Sequence, residues 1–331
     1  MSKQNDSMLL LGVVVIGRNE GERLRRCLES VQPHTSRIMY VDSGSTDGSV
    51  DMVRSKGVEV VQLDIGIPFT AARARNQGFQ RLRELCPGLS LVQFVDGDCE
   101  VSPNWLAAGA AFLDERPEVA VVCGRLREKF PERSVYNMLC DIEWDGDVGE
   151  TPACGGIAMM RAEAFEAVGG FRADLIAGEE PELCVRMRKA GWRIWRLETD
   201  MALHDAAMTR FGQWWKRALR AGFAFAQRAY LHGAPPEREG VRESRSAWFW
   251  GFAVPFGVCG LALWTGPQAL LLLLVYPAQV VRLAFRGRRS PRENWWHAWF
   301  LVLGKFPEMF GQVKFFFHRF VSMQSGLIEH K

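Results

Sequence analysis

Between Arg245 and Arg282 the chain runs for 36 residues without one charged side chain. A membrane-crossing helix needs about 20 apolar residues, so this run is too long for one span and suits two. It divides at Thr265-Gly266-Pro267-Gln268 into apolar segments 247–264 and 269–285. Arg238, Arg242 and Arg245 precede the pair, Arg282, Arg286, Arg288, Arg289 and Arg292 follow it, and the turn between is uncharged. Basic residues are retained on the cytoplasmic side, which puts both ends of the pair there. Pro255 and Pro277 interrupt the segments, so two full spans compete with a re-entrant hairpin, and a buried hairpin in a soluble core is the third alternative. The overall charge of +3, from 41 Lys/Arg and 38 Asp/Glu, is too small for a nucleic-acid binder that works by bulk charge. It is unevenly placed, with 11 Lys/Arg against 4 Asp/Glu in residues 241–331 and 30 against 34 before them. With most of the 12 tryptophans in the second half, this predicts membrane lipids as a partner. The expected organisation is a domain over 8–234, a polar linker over 235–245, a hydrophobic hairpin over 246–285 and an amphipathic, interfacial tail over 286–331.

The first 125 residues alternate short apolar runs with amphipathic stretches, the pattern of a parallel α/β sheet with helices on its faces. Strands are expected over 11–16, 37–41, 58–63, 91–95 and 119–123. Helices are expected over 20–31, 46–56, 69–85 and 103–115, with Pro103 in a first helical turn. The apolar run 8–17 has no basic region ahead of it to match a signal and is too short for an anchor, so it reads as the first strand. Residues 125–205 look less regular and are rich in Gly, Glu and Asp, as an active-site rim would be. The 8 cysteines show no Cys-x-x-Cys pair and no His at zinc spacing, and read as reduced packing residues.

Asp96-Gly97-Asp98 follows the fourth expected strand, which puts two carboxylates at the carboxyl end of a parallel sheet, where such sheets bind ligands. Hard oxygen ligands of this kind suit Mg²⁺ or Mn²⁺ carrying a diphosphate. Val41-Asp42-Ser43-Gly44-Ser45-Thr46-Asp47-Gly48 closes the second strand, so Asp42 points to the same crevice, while Ser45 and Thr46 suit a helix cap. Arg73 and Arg75, in Ala71-Ala72-Arg73-Ala74-Arg75-Asn76-Gln77-Gly78, are cations set among small residues.

Together these strings resemble family 2 glycosyltransferases of the GT-A fold. The resemblance spans about residues 11–230 and includes six strings in the family's order. They are Arg18-Asn19-Glu20 after the opening strand, the Asp42 string, Ala74-Arg75-Asn76-Gln77-Gly78, Asp96-Gly97-Asp98, Gly155-Gly156 with Arg161 and Gly169-Gly170-Phe171, and Gly178-Glu179-Glu180-Pro181-Glu182-Leu183. It implies donor-nucleotide contacts from Asn19, Glu20, Asp42, Arg75 and Asp96, and a divalent metal on Asp96 and Asp98 with His204 as a further ligand. It implies a catalytic base at Glu180 beside Glu179, and an acceptor side formed by Gly155, Gly156 and Glu182. Ser43 stands where many relatives have a second aspartate, and Glu179-Glu180 replaces a common Glu-Asp, which lengthens the base by one methylene. Glu179, Glu180 and Glu182 remain alternatives for the base, against a first-turn cluster that complements a helix dipole.

The resemblance thus implies an inverting transfer from a nucleotide-sugar donor to a lipid-linked or other glycan acceptor at the cytoplasmic face of a membrane, the cell inner membrane or another. A nucleotidyltransferase is the closest rival, but it would carry a Gly-rich, basic loop after the first strand, and Gly17-Arg18-Asn19-Glu20-Gly21 is short and acidic. A silent membrane scaffold is the other. Residues 209–230 repeat apolar side chains at helical spacing beside Arg210, Lys216, Arg217, Arg220 and Arg228, as would a helix that lies on anionic headgroups or offers cations to a pyrophosphate, or a core helix with a solvated basic face. Phe306, Phe310, Val313, Phe317 and Phe320 form a similar stripe in the tail.

Overall fold

Val13, Val14, Val15 and Ile16 have no polar face between them, which only a strand covered on both sides accommodates, and all four are buried. The computed structural model describes residues 9–321, so Met8 and the last ten residues of the expected tail lie outside the described residues. The chain divides into two units, one taking residues up to Lys129 and Trp144–Ala206, the other Phe130–Glu143 and Ala207 onward.

The first unit opens with β1 (Leu11–Gly17), α1 (Glu22–Val31), β2 (Ile38–Asp42), α2 (Ser49–Ser55), β3 (Glu59–Gln62), α3 (Ala71–Leu85), β4 (Leu91–Asp96), β5 (Cys99–Val101), α4 (Trp105–Glu115) and β6 (Val119–Glu128). The chain then enters the second unit for α5 (Val135–Trp144), whose last residue already belongs to the first. It continues there through β7 (Gly149–Glu150), β8 (Ala158–Arg161), α6 (Ala162–Ala167), α7 (Glu179–Lys189) and β9 (Arg193–His204). These strands form one nine-stranded sheet in the order β3-β2-β1-β4-β8-β6-β9-β5, with β7 on β9.

The parallel sheet expected from the sequence holds from β3 to β4. Beyond it the sheet is mixed, because β8 runs antiparallel to both β4 and β6. Residues 125–205 are also more regular than expected. Strand β6 continues five residues past Cys123 with Arg125 and Arg127 in alternation, and β9 is twelve residues long. Register shifts in the β6–β9 pairing break the alternation that reveals a strand in a sequence. Gly124 lies at one such shift, where a Cβ would come 2.5 Å from the Thr199 carbonyl oxygen. Pro103 lies outside its helix, since α4 begins at Trp105 after Asn104.

Helix α3 shows how local chemistry sets the site. Thr70 Oγ1 accepts the Arg73 N–H at 3.0 Å and starts the helix one turn before Arg75. A Cβ on Gly78 would meet Val14 and Val41 side chains at 2.4 and 2.7 Å, so glycine lets α3 sit directly on β1 and β2. Arg73 is spent on carbonyls, donating to Ile67 and Asp64 and closing the loop ahead of α3.

The second unit is helical. After α5 come α8 (Phe211–His232), α9 (Val241–Trp248), α10 (Val254–Thr265), α11 (Val275–Arg286), α12 (Pro291–Leu303) and α13 (Lys305–Val321). The expected linker is shorter than 235–245, because α9 already includes Val241 to Arg245. Helices α9 and α10 join through a π-helical turn, Phe249–Ala253, into one 25-residue helix, Val241–Thr265. The wide turn stands just before Pro255, which has no N–H to give to the preceding turn. A second helix of 20 residues, Pro267–Arg286, begins as a 3₁₀ stretch over Pro267–Leu274, and Pro277 sits in the first turn of α11. Both are long and apolar enough to cross a membrane, and 17% of each apolar window is buried.

Helix α8 buries Trp214, Phe223, Ala224 and Ala226, and Phe223 meets Phe315 of α13 edge-on, so one of its faces packs within the second unit. In α13 the buried side is Met309, Gln312 and Phe315, while of the expected stripe Phe310, Val313, Phe317 and Phe320 are exposed and Phe306 is half-buried.

Candidate active site

The carboxyl ends of three adjacent parallel strands make the site's floor. In the register, Gly17 of β1 pairs with Asp42 of β2, and Ile16 pairs with Asp96 of β4. Asp42 is buried and its carboxylate is filled from within. Oδ1 accepts the Tyr40 hydroxyl at 3.0 Å, and Oδ2 accepts the Gly44 and Ser45 N–H groups at 2.9 Å each. Asn19, in a left-handed conformation that asparagine tolerates, ties the loop after β1 to this one. Its N–H donates to Ser45 Oγ at 2.9 Å, and its Oδ1 accepts the Thr46 N–H at 2.7 Å. Glu20 pairs with Arg23 at 2.5 Å.

Arg75 is the hub. Its side chain is 3% exposed and meets three carboxylates from two further elements: Asp96 Oδ1 at 2.8 Å, Glu179 Oε1 at 2.9 Å and Glu180 Oε1 at 3.3 Å. Burial opposes its charge, but the carboxylates outweigh burial and hold the guanidinium pKa above its usual value. Asn76, the next residue, clamps the turn before α7's loop, donating to the Phe171 carbonyl at 2.7 Å and accepting its N–H at 2.9 Å.

The three glutamates at the start of α7 separate by environment. Gly178 enters the helix in a left-handed conformation, and the acidic first turn faces a basic last turn of Arg186, Arg188 and Lys189. Glu182 is 1% exposed and gripped by Arg186, which also donates to the Val168 and Gly170 carbonyls. It ties α7 to the Gly169-Gly170 turn, and its carboxylate, expected on the acceptor side, is enclosed by Arg186. Glu179 is 6% exposed on Arg75. Glu180, at 16%, is the most accessible. Burial pushes its carboxyl up, Glu179 beside it adds to this, Arg75 pulls back, and the result is about 7. Gly156 lies against this pair, where a Cβ would come 2.6 Å from Arg75 Nη2 and 2.8 Å from Glu180 Oε1, whereas Gly155 faces open space.

Asp98, between β4 and β5, meets His204 at the end of β9, where Cys99 and His204 pair across the strands. His204 Nε2 lies 3.2 Å from Asp98 Oδ2. Burial alone would lower the histidine pKa and raise that of the aspartate, and their mutual attraction reverses both. Asp98, Cys99 and His204 offer ligand atoms within 4.8 Å of one another. Burial first, then Asp98, pushes the Cys99 thiol far up, so it stays protonated and is a poor ligand. The donors left are Asp98 and His204, with Asp96 32% exposed although one of its oxygens rests on Arg75, and an oxygen-rich set with one imidazole fits Mg²⁺ or Mn²⁺. Trp144 stacks on the His204 ring at 4.6 Å, a contact that no sequence spacing announces.

Residues 12–169 match the model of Glycosyl transferase family 2. The chain is 24% identical over 225 residues to Glycosyltransferase AglE of Haloferax volcanii, across 64% of this chain and 71% of that protein. It is 28% identical over 213 residues to Succinoglycan biosynthesis protein ExoA of Rhizobium meliloti, across 59% of this chain and 63% of that one, less than two thirds of ExoA's length. In fold it is similar to the mannosyltransferase PcManGT from Pyrobaculum calidifontis, whose structure holds GDP-Man and Mn²⁺, with a TM-score of 0.63 and 20% identity over 93% of this chain and 87% of that one. A mycobacterial protein of solved structure follows at 0.51, with 18% identity over 69% and 76%. Residues 12–169 thus carry a match to Glycosyl transferase family 2, in a chain with the GT-A fold, which favours a glycosyltransferase over the nucleotidyltransferase and silent-scaffold readings.

Proposed function

We propose that the enzyme moves a sugar, with inversion, from a nucleotide-sugar donor to a hydroxyl of a lipid-linked or other glycan acceptor at the cytoplasmic face of a membrane. The observation that carries the reading is the Arg75 hub, which joins the strand-end Asp96 to the α7 carboxylates and leaves Glu180 the accessible one, with a pKa near 7. A base poised there accepts the acceptor's proton at neutral pH. The acceptor oxygen bonds to the anomeric carbon, its proton goes to Glu180, and the nucleoside diphosphate leaves.

Asn19, Glu20 and Asp42 shape the nucleotide side through the two loops they brace, and Gly155 and Gly156 leave the acceptor side open beside Glu180. Asp96, Asp98 and His204 would hold Mg²⁺ or Mn²⁺, which supplies positive charge to the leaving diphosphate. Arg75 acts from beneath, holding Glu179 and Asp96 in place through its ion pairs. The apolar helices, exposed along their length and flanked by arginines, support anchoring in the cell inner membrane or another membrane with both ends cytoplasmic.

Glu180→Gln tests the base. Turnover falls by about 10² or more while donor affinity, measured by calorimetry, stays nearly constant. The same loss in Glu179→Gln or Glu182→Gln but not in Glu180→Gln overturns the assignment of the base to Glu180.

A further inference from the structure

Metal-binding histidines usually donate their second ring N–H to a carboxylate or carbonyl, which fixes the plane of the ring. His204 lacks this support. Its Nε2 faces Asp98, and its Nδ1 is buried without a hydrogen-bond partner among the described residues. What touches the ring instead is Trp144, nearly parallel at 24° and 4.6 Å between centroids. An indole face on an imidazole restricts rotation of the ring without using either nitrogen.

We propose that Trp144 is the positioning residue for His204, doing by stacking what a hydrogen bond to Nδ1 does elsewhere, so that Nε2 is presented beside Asp98. The backbone around the ring supports this. Lys129 N–H donates to the His204 carbonyl at 2.8 Å, Asp205 N–H donates to the Asp98 carbonyl at 3.1 Å, and Ala206 N–H donates to Glu128 at 3.1 Å. The main chain of β9 is therefore fixed at its end, and the imidazole torsion is the freedom that remains for Trp144 to remove. Trp144 opens the segment that returns from α5 to the first unit, so the helix end that precedes the sheet's second half also sets the histidine.

The proposal rests on His204 as a metal ligand, and the test separates the two. Mn²⁺ is titrated into the full-length protein in detergent, without donor, and free Mn²⁺ is read by electron paramagnetic resonance. His204→Ala weakens binding. Trp144→Leu, which keeps bulk and loses the ring face, weakens it by about tenfold, the effect of losing an outer-shell support. Trp144→Phe keeps a ring face and stays within about threefold of wild type, on the view that ring stacking is shared by aromatics. Nitrogen modulation in the pulsed spectrum of bound Mn²⁺ persists in Trp144→Phe and fades in Trp144→Leu. Wild-type affinity in Trp144→Leu with weakened binding in His204→Ala overturns the role of Trp144 alone. Unchanged binding in His204→Ala overturns the ligand assignment and this proposal with it. A Trp144→Leu protein that melts early is replaced by comparing Trp144→Phe with wild type for the nitrogen signal, whose loss despite the retained ring also overturns the proposal.

Discussion

Arg75 is the residue on which the site's electrostatics turn. It is buried against three carboxylates, and removing one partner of a buried charged network costs about 3–5 kcal/mol, because the others are left unpaired. Arg75→Met therefore melts well below wild type, while Arg75→Lys, which keeps the charge but loses the forked geometry, falls between. The pH profile gives a second readout. Glu180 must be deprotonated to accept a proton, so kcat/KM rises with pH through about 7 in the wild type. Arg75 lowers that pKa, so in Arg75→Met the rising limb moves to higher pH. A limb that stays in place means Glu180 is not the group being titrated.

At the scale of elements, glycines decide how closely the helices of the second unit approach. A Cβ on Gly222 of α8 would come 1.9 Å from the Glu308 carbonyl oxygen of α13, and one on Gly311 of α13 would come 2.0 Å from the Leu219 carbonyl oxygen of α8. The obstacles are backbone atoms that cannot rotate away. Gly222→Ala and Gly311→Ala each lose about 1–3 kcal/mol or more, the cost of overpacking, seen as a lower melting temperature in detergent. Gly257→Ala in α10 meets nothing within 4 Å and is the control, with no loss expected. Equal melting of all three variants would mean that the α8–α13 crossing is not tight. The 3₁₀ stretch has a comparable effect on length. At about 2.0 Å per residue its 8 residues rise about 16 Å, and the 7 residues from Val275 to Val281 add about 10 Å, close to the hydrocarbon thickness of about 30 Å.

For the whole molecule, the membrane reading predicts that the full chain stays in the pellet after alkaline extraction and is released by detergent; recovery in the soluble fraction defeats it. In a Cys259→Ser background, which removes the exposed native thiol, Thr265→Cys is labelled by an impermeant maleimide from the outer side if both helices cross, and protection from it favours the re-entrant hairpin. Deleting residues 246–331 removes α13 together with the apolar helices and leaves Phe223 of α8 without Phe315, so the remainder aggregates. The sequence by itself determined the α/β alternation of β1 to β4, the strand-end carboxylates Asp42 and Asp96, the Glu179-Glu180 helix start and the uncharged 36-residue run, because each is written in local periodicity or in a contiguous string. It did not reveal the mixed half of the sheet, where bulges break alternation, or the environment of each acidic residue. Glu180 and Glu182 are two residues apart and chemically identical, yet one meets Arg75 and stays 16% exposed while the other is enclosed by Arg186. Trp144 and His204 are 60 residues apart and meet only when β9 reaches its end. Accessibility, ion pairing and pKa depend on neighbours brought together from distant parts of the chain, and only the tertiary structure decides which neighbours those are.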